Sequence, residues 1–202
     1  MNNLYDDFLA LADRLRDAGW VLGYDRPVRP PDFRHHDEDA LEALGELLEE
    51  PIPPFLRTFA LDVGAVFLTG HIAPGSRLDQ VLPGHTTPHT GTSLPMLTTV
   101  PLPTGVHELQ DRMEEDQPLG IPLVEDPDQA GGLSGGPPLC VLVDPATPLD
   151  LALYVDVDPE EPVGLDYPTY VRRCLSQGGL ATLPEDEAAA ALFRELGEGL
   201  GR

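Results

Sequence analysis

The sequence predicts an α+β domain built on a central, mostly antiparallel sheet flanked by helices. Amphipathic helical stretches open and close the chain, and three short apolar strand candidates lie between them. The segments joining those strands are dense in Pro, Gly and Asp, as turns require, and read as an antiparallel meander rather than helical crossovers.

The first helix is expected to be capped by Asn3, with Asp6 and Asp7 at its positive end and Arg14 and Arg16 at the other. Leu4, Phe8, Leu11 and Leu15 recur on one face, and Gly19 supplies the stop. Residues 25–36 read as a loop. A second helix is expected from about Asp37, as N-cap, to Glu50, burying Leu41, Leu44, Leu47 and Leu48. After Pro51, Pro53 and Pro54, a third helix carries Phe55, Leu56, Phe59 and Val63 inward and ends at Gly64, with Val66–Leu68 as a strand.

Residues 73–104 are rich in Pro, Thr, Gly and His, and Asp79 is their one acidic residue. They read as a long surface excursion with room for isolated strand pairs, followed by a short helix around Val106 to Met113. The strand candidates are Ile121–Val124, Leu139–Val143 and Leu151–Val157. A helix starting near Asp166 is expected to bury Tyr170, Val171, Cys174 and Leu175 before Gly178 and Gly179. The last helix is expected to open on a Thr182-Leu183-Pro184-Glu185 capping box and continue through Ala188, Ala191, Leu192 and Leu196.

Charge narrows the function. The chain of 202 residues carries 35 acidic residues against 12 basic ones, all arginine, for a formal net charge of −23. Such a polyanion repels phosphate backbones and anionic lipid, so neither nucleic acid nor a membrane is an expected partner. A basic protein is the partner its field attracts; acidity that serves solubility alone is the blander alternative. Without lysine there is no Schiff base and no P-loop. Cys140 and Cys174 read as core hydrophobes in a reducing compartment rather than a disulfide framework. The N-terminus lacks signal-peptide features and no apolar run is long enough to span a bilayer, so a cytoplasmic protein is expected.

The motifs offer little catalysis. Gly132-Leu133-Ser134-Gly135-Gly136 fits the G-x-S-x-G pattern, but Pro137 and Pro138 follow where a helix should, and no histidine lies beyond His107. Asp126–Gly131 and Asp156–Glu161 begin like calcium loops and then lack the required ligands, with Pro137 and Tyr167 at the twelfth positions. His35 and His36, and the pair His85 and His89, are metal ligands by type only, with no third ordered ligand beside them. No cofactor, metal site or catalytic residue is expected. Candidate partner-binding residues are two acidic runs: Asp111, Glu114, Glu115 and Asp116, and then Asp156, Asp158, Glu160 and Glu161.

A family resemblance adds to this. Leu41-Glu42-Ala43-Leu44-Gly45-Glu46-Leu47-Leu48, Ile52-Pro53-Pro54-Phe55-Leu56-Arg57-Thr58-Phe59 and Gly64 resemble the SUKH superfamily of bacterial immunity proteins. Leu119-Gly120-Ile121-Pro122-Leu123 with Asp126 resembles its mid-domain strand and turn, and Leu151–Val157 with Asp166–Val171 its closing strand and helix. The resemblance implies one α+β domain over residues 1–202 with a core of about 38–180. Residues 1–24 are then an N-terminal helix, 73–104 a Pro/Thr-rich insertion and 182–202 a C-terminal helix. It implies a non-catalytic immunity protein that neutralises a secreted toxin, often a nuclease, whose basic grip on phosphate suits an acidic partner. The alternatives are a regulatory or scaffold protein of the same fold and, third, a hydrolase using Ser134.

Overall fold

In a computed structural model, residues 3–24, 27–28, 34–48, 51–83, 94, 96–114, 119–125, 138–144, 147–156 and 158–201 are described. Among them the chain is a mixed α+β protein with seven helices and two antiparallel sheets.

Helix α1 (Leu4–Asp17) has the expected cap, the Asn3 carboxamide accepting from Tyr5 N at 3.1 Å. Phe8, Leu11 and Leu15 are fully buried. Gly19 ends the turn at φ 98°, a left-handed conformation that glycine adopts without steric cost. Strand β1 (Trp20–Leu22) follows at once and pairs antiparallel with β2 (Gly70–Ile72). Trp20, the single tryptophan, is buried and donates its indole N–H to Leu68 O at 2.9 Å, which ties this small sheet to the core.

Helix α2 (Arg34–Leu48) begins three residues before its expected cap. Asp37 is therefore not the N-cap; it is buried within the first turn, where a carboxylate still meets the positive end of the helix. Leu41, Leu44 and Leu48 are buried as expected, while Leu47, expected in the same stripe, is half-buried. Helix α3 (Pro54–Asp62) starts on its proline and buries Leu56, Phe59 and Ala60. Phe59 stands edge-on to Phe8 and to Tyr167, at centroid distances of 6.4 and 5.4 Å, so α1, α3 and the start of a later helix at Tyr167 share one aromatic cluster.

The largest correction concerns residues 73–104. Their described parts are not a surface excursion, while the isolated strand pairs expected there are present. Helix α4 (Arg77–Val81), capped by Ser76, buries Leu78, and Leu94, Met96, Leu97, Thr98 and Thr99 all lie in the interior. The expected strand Val66–Leu68 is a set of single bridges. Val66 pairs with Val28, Phe67 with Thr98, and Thr99 with Val124. Leu68 N donates to Leu97 O at 3.1 Å and Val100 N to Leu123 O at 3.0 Å, so these extended pieces prolong the main sheet. Composition hid this because the buried ladder is short, and two of its residues, Thr98 and Thr99, are of a type common in loops.

Helix α5 (Leu102–Glu114) is longer than expected and buries Leu102, Val106 and Leu109. The main sheet follows as the expected meander in the order β3-β4-β5-β6: β3 (Gly120–Val124), β4 (Leu139–Leu142), β5 (Ala152–Val155) and β6 (Pro162–Asp166). Strand β6 is an addition to the sequence reading. Its Pro and Gly lower strand propensity, which suits an edge position. Helix α6 (Tyr167–Ser176) is capped as expected by Asp166, which accepts from Thr169 N at 2.7 Å. Helix α7 (Glu187–Leu196) is capped by Asp186, not by Thr182, with Ala189 N donating at 2.8 Å. That start rotates the helix relative to expectation: Ala188 and Ala191 are exposed, and Ala189, Leu192, Phe193 and Leu196 are buried. Arg14 closes the other end, donating to Leu196 O and Glu198 O at 2.9 and 2.8 Å.

Candidate functional site

The site begins with how closely α5 can approach the sheet. A Cβ on Gly105 would stand 2.8 Å from Pro122 O and 3.0 Å from Ile121 Cγ2, so glycine is what lets the helix lie against β3. Leu109 continues the buried face one turn on. The outer flank of the same helix carries Glu108, Asp111 and Arg112. His107 and Asp111 stand one turn apart with Nε2 and Oδ2 at 3.7 Å.

From the sheet, the β5–β6 connection rises to meet this flank. It is a tight turn: Asp158 N donates to Val155 O, Glu161 N to Asp158 O, and Val155 N to Glu161 O. The Asp158 carboxylate accepts from Glu160 N at 2.8 Å, an Asx turn that holds Glu160 and Glu161 outward and exposed. Asp156 adopts φ 52°, the left-handed region, alone among the described non-glycine residues. Asp tolerates that region better than most residues, and the conformation is held from two sides. Its N–H donates to Pro138 O at 2.7 Å, and its carboxylate accepts from Arg112 Nη2 at 3.2 Å.

The Arg112–Asp156 pair thus brings together two acidic runs that lie 44 positions apart in the chain. Asp111, Asp156, Asp158, Glu160 and Glu161 are all among the described residues. Glu114 is the last residue of α5, while its side chain, Glu115 and Asp116 lie outside what is described. With Glu108 and Asp111 on the helix and Asp156, Asp158, Glu160 and Glu161 on the turn, a single guanidinium joins two acidic elements. Glu108 and Arg112 are residues the sequence reading did not single out. A lone arginine inside an acidic run was the available signal, since such a residue is well placed to pair. Exposed Glu38, Asp39, Glu42 and Glu46 extend the negative surface along α2, which packs against α5.

Beneath the clasp lies Cys140, fully buried on β4. Burial first, and then the Asp156 charge, push its thiol up to about 12, and burial does the same to Cys174. Both are free thiols held in the neutral form, which suits packing and not nucleophilic chemistry. Tyr154 faces Cys140 across the β4–β5 pair. It lines an open cleft of about 300 Å³ together with Leu119, Leu142 and Pro159 and the exposed Asp144 and Asp150. Pro159 belongs to the acidic turn itself, so cleft and turn are continuous.

The other candidates fall elsewhere. His35 and His36 sit in the first turn of α2, exposed, with ring centroids 3.9 Å apart. Ser134, the Asp126–Gly131 segment, His85 and His89 lie outside the described residues. Among the described residues no group of three His, Cys, Asp or Glu side chains gathers as a metal site, and no helix is long and apolar enough to cross a membrane. Compared with models of known families, with curated proteins and with solved structures, the chain matches none. The functional reading therefore rests on the chemistry of its own surface.

Proposed function

We propose that this chain is a non-catalytic, acidic protein-binding module whose partner is a basic protein, and that it acts as an immunity protein that neutralises a basic toxin. The observation that carries the reading is the clasp of Arg112 and Asp156, which joins the helix bearing Glu108 and Asp111 to the turn bearing Asp158, Glu160 and Glu161 in a chain with net charge −23. Fields of this kind accelerate encounter with an oppositely charged surface and reject like-charged partners. A nuclease toxin is basic where it grips phosphate, so an acidic face can cover its working surface. The resemblance of separate pieces within residues 38–180 to SUKH immunity proteins supports the same reading, and the α+β architecture is compatible with it.

The test is a capture experiment with two baits, the native chain and a variant carrying Asp158→Asn, Glu160→Gln and Glu161→Gln. The reading expects one basic protein retained by the native bait at low salt, released as salt rises, and retained poorly by the variant. Equal retention by both baits would exclude this face.

A further inference from the structure

We infer that the cleft beside the acidic turn is an anchor for a single arginine side chain of the basic partner; this rests on the binding role proposed above and names the group recognised. The cleft has the three parts such a side chain needs. Leu119, Leu142 and Pro159 give an apolar lining against which the three-carbon stem can lie. Tyr154 is the aromatic residue of the lining, and a planar guanidinium stacks on an aromatic face more readily than an ammonium does.

Asp144 and Asp150 supply carboxylate, the acceptor whose geometry matches the guanidinium fork. Asp150 accepts from Ala152 N through Oδ1 at 3.2 Å, which orients its exposed carboxylate while Oδ2 takes no part in that bond. A volume of about 300 Å³ lies at the small end of ligand sites, too small for a secondary-structure element and ample for one long side chain. Position agrees with chemistry. Pro159 lies between Asp158 and Glu160, so a basic surface drawn to the turn delivers its side chains to the mouth of the cleft. Hot spots at interfaces are commonly of this kind, an arginine or aromatic anchor in a pocket surrounded by charge that steers.

The experiment is an NMR titration of the isotope-labelled full chain with three probes: acetyl-Gly-Arg-Gly-amide, its citrulline counterpart, and a nona-lysine peptide. The inference expects the arginine peptide to shift the amides of Leu119, Leu142, Asp150 and Tyr154 at low salt. Citrulline, the same shape without charge, is expected to bind at least about tenfold more weakly. Tyr154→Leu and Asp150→Asn should each weaken the arginine peptide about threefold, with spectra that otherwise match the native chain, whereas Asp17→Asn should leave it unchanged. Equal shifts from citrulline, or arginine shifts spread evenly over the acidic surface, would overturn the anchor. Nona-lysine binding at the turn while the arginine peptide misses the cleft would overturn the anchor and leave the binding face standing. Failure of all three probes would count against both.

Discussion

Strands β3 and β6 belong to the same sheet and are opposites in nearly every physical respect. All five residues of β3 are buried, with β4 on one side, the Leu97–Val100 segment on the other and α5 packed against it. β6 alternates exposed and half-buried residues and, among the described residues, pairs only with β5. Both contain proline. In β3 the missing donor of Pro122 coincides with a shift in register between Pro122 and Val124, while in β6 Pro162 opens an edge strand, where proline also guards against pairing with another chain. The difference teaches where each job lies. The β3 flank holds the fold and tolerates little change. The β6 flank, with the turn that leads into it, is where charge can be varied without loss of structure.

The strongest way to break that comparison is to truncate both strands. Ile121→Ala is expected to cost about 2–5 kcal/mol in urea unfolding, because Ile121 is fully buried and its site cannot collapse freely. Val163→Ala on β6 is expected to cost less than about 1 kcal/mol. Equal losses would mean that the sheet does not divide as described.

Gly105→Ala sharpens the same point at the helix–sheet contact. A methyl group 2.8 Å from a backbone oxygen forces α5 away from β3, for an expected loss of about 1–3 kcal/mol, against the modest gain in helix propensity that alanine brings elsewhere.

Where β6 passes into α6, Asp166→Ala is expected to remove an N-cap and cost about 1 kcal/mol at neutral pH. Hydrogen bonding from the Thr169 side chain, and then from its backbone N–H, holds the Asp166 carboxyl below its ordinary value. A depressed carboxyl contributes stability above its unfolded pKa of roughly 3.9 and loses it as pH falls through the folded value. The native chain should therefore lose more stability than the variant on acidification below about pH 4. Parallel stability curves for the two would contradict the cap.

The smallest effect on stability is expected at the acidic turn. Asp158→Asn with Glu160→Gln and Glu161→Gln should change unfolding free energy by no more than about 0.5 kcal/mol. The carboxamide introduced at position 158 keeps an acceptor oxygen for the Glu160 backbone N–H, and the other two side chains are exposed.

Much of the division was legible in the sequence. Helices α1, α3 and α6 announce themselves through Phe8, Leu11 and Leu15, through Pro54 and Phe59, and through Asp166 with Tyr170 and Val171. The apolar runs of β3, β4 and β5 read directly. What escaped was structure with too few residues to show a period. β1 and β2 have three residues each, and the 94–100 segment hides buried Met96 and Thr99 among prolines and threonines. In β6 the alternation of Val163 and Leu165 was present but was masked by Pro162 and Gly164. At α7, two good caps compete within a few residues, and Asp186 rather than Thr182 sets the phase of the buried face. The acidic runs were visible as runs. Their meeting through Arg112 was not, because only the folding of α5 onto the sheet brings position 112 to position 156.

The most direct measurement is the association rate of the captured basic partner as a function of ionic strength, for three chains: native, Asp158→Asn/Glu160→Gln/Glu161→Gln, and a control with the same change in charge, Asp17→Asn/Glu185→Gln/Glu198→Gln. The account predicts that the turn variant associates several-fold more slowly at low salt with a flatter salt dependence, while the control follows the native chain closely. Equal slowing by both variants would show that net charge acts without a specific face, and would contradict the account.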